Sequence, residues 1–219
     1  MNRICYVVGA GDCADISIDR HTGDLVIAAD GGYAACRALG LTPELAVGDF
    51  DSLDYVPEGI DVRRHPPEKD DTDMFLAVRE GQRRGYDRFL LYGGLGGRLD
   101  HSLANIQALA AVARQGDRAW LWGQGTALTV LRNGSLTFPG KYSGVFSVFA
   151  HGGTARGVCL RGCKYPLENA ELDPDYPLGV SNEFLGRPVE LSVADGALTI
   201  LWYSAAPETE ALIREEGRP

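Results

Sequence analysis

The 219 residues are 45% hydrophobic and carry a formal net charge of −9, with a sequence pI of about 4.9. That apolar content supports one large domain or two small ones, each with its own core, while the acidic balance excludes a general nucleic-acid binder, which needs a basic face to neutralise phosphates. No stretch reaches the ~18 apolar residues of a membrane span, and the first residues enter an apolar run directly, so no membrane association and a cytoplasmic location are expected.

In chain order, strands are expected at residues 4–8, 25–29, 45–47, 60–64, 89–92 and 119–122. Several are too continuously apolar to face water on either side, the pattern of a parallel sheet covered on both faces. Helices are expected between them. One covers 33–39, and a second covers 72–84, with Thr72 as a cap and Asp73 in the first turn. The third covers 99–114, where Leu99, Leu103, Ile106, Ala110 and Ala113 recur every three or four residues and predict one apolar stripe on the sheet. This order predicts a three-layer α/β domain with a mostly parallel sheet over residues 1–130. Beyond it, Asn133-Gly134, Pro139-Gly140, 151–153 and Asp195-Gly196 are turn signals, and period-two runs occupy 145–149, 158–160, 189–193 and 198–202. A smaller antiparallel β-sandwich domain over residues 131–219 is expected, ending in a polar tail. Of five cysteines, Cys5 and Cys36 read as reduced core thiols, and Cys159 and Cys163 lack a second pair at zinc spacing.

Chemistry concentrates where the expected strands end. Gly9-Ala10-Gly11-Asp12-Cys13-Ala14 fits GxGxxA, and Asp30 stands about where a ribose-binding acid would in a dinucleotide site. The charged stretch 12–24 has little helical stripe to support that reading. Gly48-Asp49-Phe50-Asp51-Ser52 ends an apolar run in two carboxylates flanking an aromatic residue. Gly48 is expected to turn the backbone there, and Asp49 and Asp51 to share a hard cation such as Mg²⁺, which takes one or two carboxylates plus substrate phosphates. The same residues also serve as plain turn formers and caps. In Lys69-Asp70-Asp71-Thr72-Asp73 three acids crowd a helix start, where like charges at ~4 Å repel by roughly 1 kcal/mol even in water unless a cation holds them.

Residues 93–97 contain four glycines, followed by Arg98, Asp100 and His101. Such a loop suits a phosphate cradle, because its amides approach closely, the helix start adds a favourable dipole and Arg98 offers a planar fork. It does not match a Walker loop, and no GxSxG elbow or histidine metal spacing supports nucleophilic hydrolase chemistry. Stretches 162–167 and 179–184 combine hydrogen-bonding and aromatic side chains, fit for a small-ligand wall or for hairpin rims.

Taken together, Asp30-Gly31-Gly32, the GDFDS and KDDTD stretches, the glycine loop with Arg98 to His101, and Gly179-Val180-Ser181-Asn182 resemble the thiamine pyrophosphokinase family in order and rough spacing over nearly the whole chain. The resemblance implies a homodimer and Mg²⁺-dependent transfer of diphosphate from ATP to thiamine, giving thiamine diphosphate and AMP. By position it implies Asp49, Asp51 and Asp73 as metal-associated catalytic acids and Asp100 as a further active-site acid. It likewise implies Asp30, Lys69, Thr72, Gly94, Gly96, Gly97 and Arg98 as nucleotide contacts, and Ser181 and Asn182 as thiamine contacts. Residues 162–167 fit loosely and leave thiamine's aromatic partner unassigned. Two alternatives stand beside this reading: a pyrophosphokinase for another heterocyclic alcohol such as a hydroxymethylpterin, and a non-catalytic nucleotide sensor, which has no need of so many acids.

Overall fold

In the computed structural model, which describes residues 2–16, 18–53, 55–66, 68 and 70–215, the apolar runs of the first half form six strands. They are β1 (Cys5–Val8), β2 (Leu25–Ala29), β3 (Leu45–Gly48), β4 (Asp61–Arg64), β5 (Arg88–Tyr92) and β6 (Arg118–Gly123). Neighbours pair in parallel in the order β4-β3-β2-β1-β5-β6. Alternation along β1 sends Tyr6 and Val8 into one core with α1 (Gly32–Ala38), and Cys5 and Val7 into another with α2 (Asp73–Arg83) and α3 (Leu99–Arg114). Both faces of β1, β2, β3 and β5 are therefore covered, which explains why these strands carry no polar alternation, whereas edge strand β4 is polar and largely exposed. Cys5 and Cys36 are buried free thiols. Residues 12–24 contribute no described helix, so the GxGxxA stretch lacks the helix N-terminus that a dinucleotide site requires.

The buried face of α3 differs from the expected stripe. Ser102, Asn105, Ala108, Leu109, Val112 and Ala113 are buried, whereas Leu99 and Leu103 are 73% and 55% exposed. The helix is rotated by the need to place Asn105 inside, where its amide Nδ2 donates to the Gly94 carbonyl at 2.8 Å, and a buried carbonyl left unpaired is costly.

Past β6 the chain doubles back as β7 (Thr126–Phe138), antiparallel to β6 and running through the expected 130/131 division. Its partner β12 (Val189–Tyr203) is one long strand where two were expected. Asn133-Gly134 and Asp195-Gly196 make no turns. They sit opposite each other at a register shift between Val193 and Ala197, where Asn133 has φ 44°, Gly196 has φ 107°, and the Gly196 N–H donates to Asn133 Oδ1 at 2.9 Å. Turn-forming residues here build a bulge that bends a continuous ribbon. On one side of the bend β12 pairs with β9 (Ala155–Arg161), on the other with β8 (Val145–Ala150); β10 (Leu167–Leu172) extends β9, and β11 (Asn182–Glu183) extends β8. These antiparallel strands enclose Phe138, Phe146, Phe184 and Trp202, whose contacting ring centroids lie 4.7–5.2 Å apart.

The polar tail forms α4 (Ala206–Glu215), which lays Leu212 and Ile213 on the same core as Ile4 and Tyr6. No helix among the described residues is long and apolar enough to cross a membrane.

Candidate active site

From β1 the chain steps outward through β2 and β3 to β4, then returns to β5 on the other side of β1. Such a switch point opens a crevice at the carboxyl ends of the strands. Here it is a cleft of about 370 Å³ walled by the ends of β1 (Gly9 to Gly11) and β2 (Ala29, Asp30), the start of α2 (Thr72, Asp73, Met74), and the glycine loop with Arg98, His101 and Asn105. Glycine is needed at the floor, since a Cβ on Gly11 would lie 2.5 Å from the Gly93 carbonyl oxygen, which accepts the Gly11 N–H at 3.1 Å. Gly93, Gly96 and Gly97 take φ of 66°, 80° and 61°, left-handed values that only glycine adopts freely. The wall built by Gly9 to Gly11 was noticed in the sequence from its spacing after a strand, as a dinucleotide-type fingerprint. Asn105 escaped the sequence reading, because the apolar stripe expected on α3 placed it off the buried face.

Thr72 caps α2, its Oγ1 accepting the Phe75 N–H at 3.3 Å. Arg98 and Asp100 form a two-pronged pair at the exposed mouth, Nη2 to Oδ2 at 2.6 Å and Nε to Oδ1 at 3.2 Å. The Arg98 hydrogen bonds hold the Asp100 carboxyl below its usual pKa, and Asp100 in turn fixes the guanidinium's orientation.

Carboxylate oxygens of Asp30, Asp49 and Asp51 come within 4.8 Å of one another. Two left-handed residues bring them there, Asp30 at φ 48° and Phe50 at φ 64°, values uncommon for non-glycine residues and frequent at functional sites. Phe50 is only 4% exposed, so its ring anchors the turn while the flanking acids stay outside the core. Gly48 does not turn the chain as expected; it remains in β3, and glycine is required because a Cβ would stand 3.0 Å from Asp30 Cα. Repulsion by Asp49 is the first cause that raises the Asp51 pKa, and a hydrogen bond to Asp49 and the charges of Asp30 and Asp73 act in the same direction.

Ser52 Oγ donates to Asp30 Oδ2, and Asp30 Oδ1 is buried with no hydrogen-bond partner. A buried carboxylate oxygen beside two like charges is costly unless a cation completes the site. The all-oxygen donor set fits Mg²⁺ better than a soft metal. Asp30 thus stands in the cluster where Asp73 was expected, and Asp73 lies on the cleft wall at the start of α2. Lys69 lies outside the described residues.

Two descriptions of one family match this chain: "Thiamin pyrophosphokinase, catalytic domain" over residues 21–121 and "Thiamin pyrophosphokinase, vitamin B1 binding domain" over residues 135–198. The chain belongs to the thiamine pyrophosphokinase family. It is 28% identical over 191 residues to the thiamine pyrophosphokinase of Bacillus subtilis (strain 168), covering 84% of this chain and 88% of that protein. A thiamin pyrophosphokinase family protein from Enterococcus faecalis matches in structure with a TM-score of 0.80 at 28% identity, covering 93% of this chain and 99% of that one. The solved Bacillus subtilis structure, at 24% identity and a TM-score of 0.83 over 92% of this chain and 99% of that chain, shares the fold.

Within this thiamine pyrophosphokinase family member, the acid cluster, Thr72, Asp73 and the glycine loop fall inside the matched catalytic region, and Ser181 and Asn182 inside the vitamin B1-binding region. Ser181 is exposed at φ 60°, its N–H donating to Ser147 Oγ at 3.1 Å. Asn182 is 3% exposed, and its amide is occupied within the chain. Its Oδ1 accepts the N–H groups of Tyr165 (3.0 Å) and Glu183 (2.9 Å), and its Nδ2 donates to the Tyr165 carbonyl at 2.7 Å. Asn182 therefore clamps the backbone of Tyr165, whose side chain is exposed. Neither Ser181 nor Asn182 lines the glycine cleft.

Proposed function

We propose that this protein, as a cytoplasmic homodimer, moves the diphosphoryl group of ATP to the hydroxyl of thiamine, with the nucleotide in the glycine cleft. The observation that carries the reading is the convergence of Asp30, Asp49 and Asp51 at the edge of a glycine-floored cleft at the sheet's switch point. The hydroxyl oxygen bonds to the β-phosphorus while the bond from that phosphorus to the α,β-bridging oxygen breaks. AMP leaves with the bridging oxygen, and the hydroxyl proton is released to solvent. Such transfers need positioning and charge neutralisation more than an enzyme nucleophile. Mg²⁺ held by Asp30, Asp49 and Asp51, with Asp73 beside them, supplies charge neutralisation at the phosphate oxygens. Arg98, oriented by Asp100, binds phosphate at the mouth, and Thr72, Lys69 and the loop glycines complete the nucleotide side within residues 1–130. Incubation with Mg²⁺-ATP and thiamine should yield AMP and thiamine diphosphate by chromatography; no thiamine diphosphate from a folded, Mg²⁺-supplied sample would refute the reading.

Residues 131–219 supply the thiamine side, with Ser181 and the clamped Tyr165 as its exposed groups. Since Ser181 and Asn182 stand away from the cleft, a second copy must bring this surface to the acids. Light scattering should therefore give twice the 23.6 kDa chain mass. A monomer retaining full activity would refute the shared site.

Asn182→Ala should raise the KM for thiamine more than that for ATP, because freeing Tyr165 removes hydrogen bonds worth about 1 to 3 kcal/mol to the loop. Ser181→Ala should act in the same sense. Equal changes for both substrates in steady-state kinetics would remove Asn182 and Ser181 from the thiamine side.

A further inference from the structure

The acid cluster separates two openings. Asp30 lines the glycine cleft, whereas Asp49 and Asp51 line a groove of about 450 Å³ whose other wall is Arg64, His65 and Pro66. β4 is the edge strand, and its last residue, Arg64, pairs with Gly48, immediately before Asp49. The His65 N–H donates to the Gly48 carbonyl at 3.0 Å, which continues the pairing one residue further. Arg64 is thus carried by a rigid strand end beside two carboxylates. Among the described residues its side chain nevertheless forms no ion pair or hydrogen bond, while neighbouring Arg63 reaches Glu80 at 3.9 Å and Arg84 pairs with both Glu80 and Asp61. A guanidinium that leaves adjacent carboxylates unbridged keeps its planar fork available for an external anion, and phosphate matches that fork in two-pronged fashion.

We propose that the Arg64 groove binds the terminal phosphate of the diphosphoryl group, the γ-phosphate of ATP before transfer and the outer phosphate of the product after it. This rests on the reaction proposed above. With the nucleoside and α-phosphate over the glycine loop, a phosphate chain that crosses the acid cluster emerges on the side where Arg64 stands. Arg64 holds the non-reacting end of the transferred unit, so the β-phosphorus is fixed from both sides.

The test is calorimetric titration of the full chain, in Mg²⁺, with inorganic pyrophosphate and separately with AMP, using the wild type, Arg64→Gln and Arg64→Lys. Arg64→Gln should weaken pyrophosphate binding about tenfold or more, the loss of one charge-assisted two-pronged contact. AMP affinity should not change, which also reports that the variant is folded. Arg64→Lys should recover only part of the pyrophosphate affinity, because an ammonium is a point charge without the fork. Unchanged pyrophosphate binding in Arg64→Gln, an equal loss for AMP, or a wild type that binds no pyrophosphate would overturn the assignment. Product analysis separates the two levels. ADP from the wild type would overturn the transfer reading and this inference with it, whereas AMP from the wild type with unchanged pyrophosphate binding in Arg64→Gln would overturn the Arg64 site alone.

Discussion

Asp49→Asn and Asp51→Asn are each expected to leave a folded chain and to lower kcat/KM by roughly a thousandfold or more, about 4 kcal/mol of transition-state stabilisation. The substitution separates charge from shape. Asn forms the same turn as Asp, and the Asp51 N–H that donates to Asp49 Oδ1 at 3.2 Å finds an equivalent amide oxygen in Asp49→Asn. The turn's anchor, the buried Phe50 ring, is untouched. What is lost is one of three converging negative charges. Steady-state assays across a magnesium titration, with circular dichroism to verify folding, give the measurement. Near-normal turnover in both variants would reduce the acids to turn residues. Acidification should act in the same direction. Because Asp49 and its neighbours raise the Asp51 pKa, Asp51 protonates at a higher pH than an isolated aspartate, and magnesium affinity should already weaken there as pH falls.

The largest loss of stability is expected from Arg214→Ala. This α4 residue is nearly enclosed, its side chain 10% exposed beside those of Asp24 (0%) and Glu210 (4%). Its Nη2, which carries two N–H groups, lies within hydrogen-bond distance of Asp24 Oδ2 (2.7 Å), Glu210 Oε1 (2.9 Å), Tyr6 Oη (2.7 Å) and the Asp19 carbonyl (2.7 Å). Tyr6 donates to Glu210 Oε1 at 2.6 Å, and Asp24 also accepts the Ile4 and His21 N–H groups, both at 2.8 Å. Removing this cation strands two buried carboxylates, a change that typically costs about 3 to 5 kcal/mol. For a chain of this size that lowers Tm by roughly 10 °C.

The pH dependence sharpens this expectation. Burial opposes ionisation of Asp24, but the Arg214 hydrogen bonds and the two backbone amides outweigh it and hold its pKa below the usual value. The folded pKa therefore lies under the unfolded one, near 3.9. The resulting stability is present above that pH and is lost as pH falls through the folded value. In Arg214→Ala the main lowering influence is gone, so acid unfolding should begin at higher pH. The network sits at the amino edge of the sheet, away from the cleft, and activity per folded molecule at low temperature should not change. A Tm within about 2 °C of wild type would show that α4 is held by its apolar face alone.

Much of this molecule is written locally. The central parallel strands were legible because burial on both faces demands unbroken apolar runs, and those runs sit within a residue or two of the observed strands. The GDFDS turn and the glycine loop were legible because acids and glycines gathered where an apolar run ends mark a turn or loop at a strand terminus. Thr72 was legible as a cap because that role is satisfied within one helical turn.

Other features depend on contacts that no local pattern encodes. The phase of α3 was misread because a 3.6-residue period fits more than one face, and Asn105's bond to Gly94 selects between them. Asn-Gly and Asp-Gly satisfy a hairpin and a bulge equally well, since both need left-handed backbone, and only the pairing of β7 with β12 makes them a bend. Asp30 joins Asp49 and Asp51 because β2 and β3 are adjacent and Gly48 has no side chain to hold them apart. The hydrogen bonds that tie the Asn182 amide to Tyr165, and the place of Arg64 opposite Gly48 through the pairing of β4 with β3, likewise follow only from the fold. The chain's own sequence therefore determined the strands, the turn and loop chemistry and the family. The three-dimensional fold decided which carboxylates converge and which polar side chains are spent on the chain itself, because both depend on distances between residues far apart in sequence.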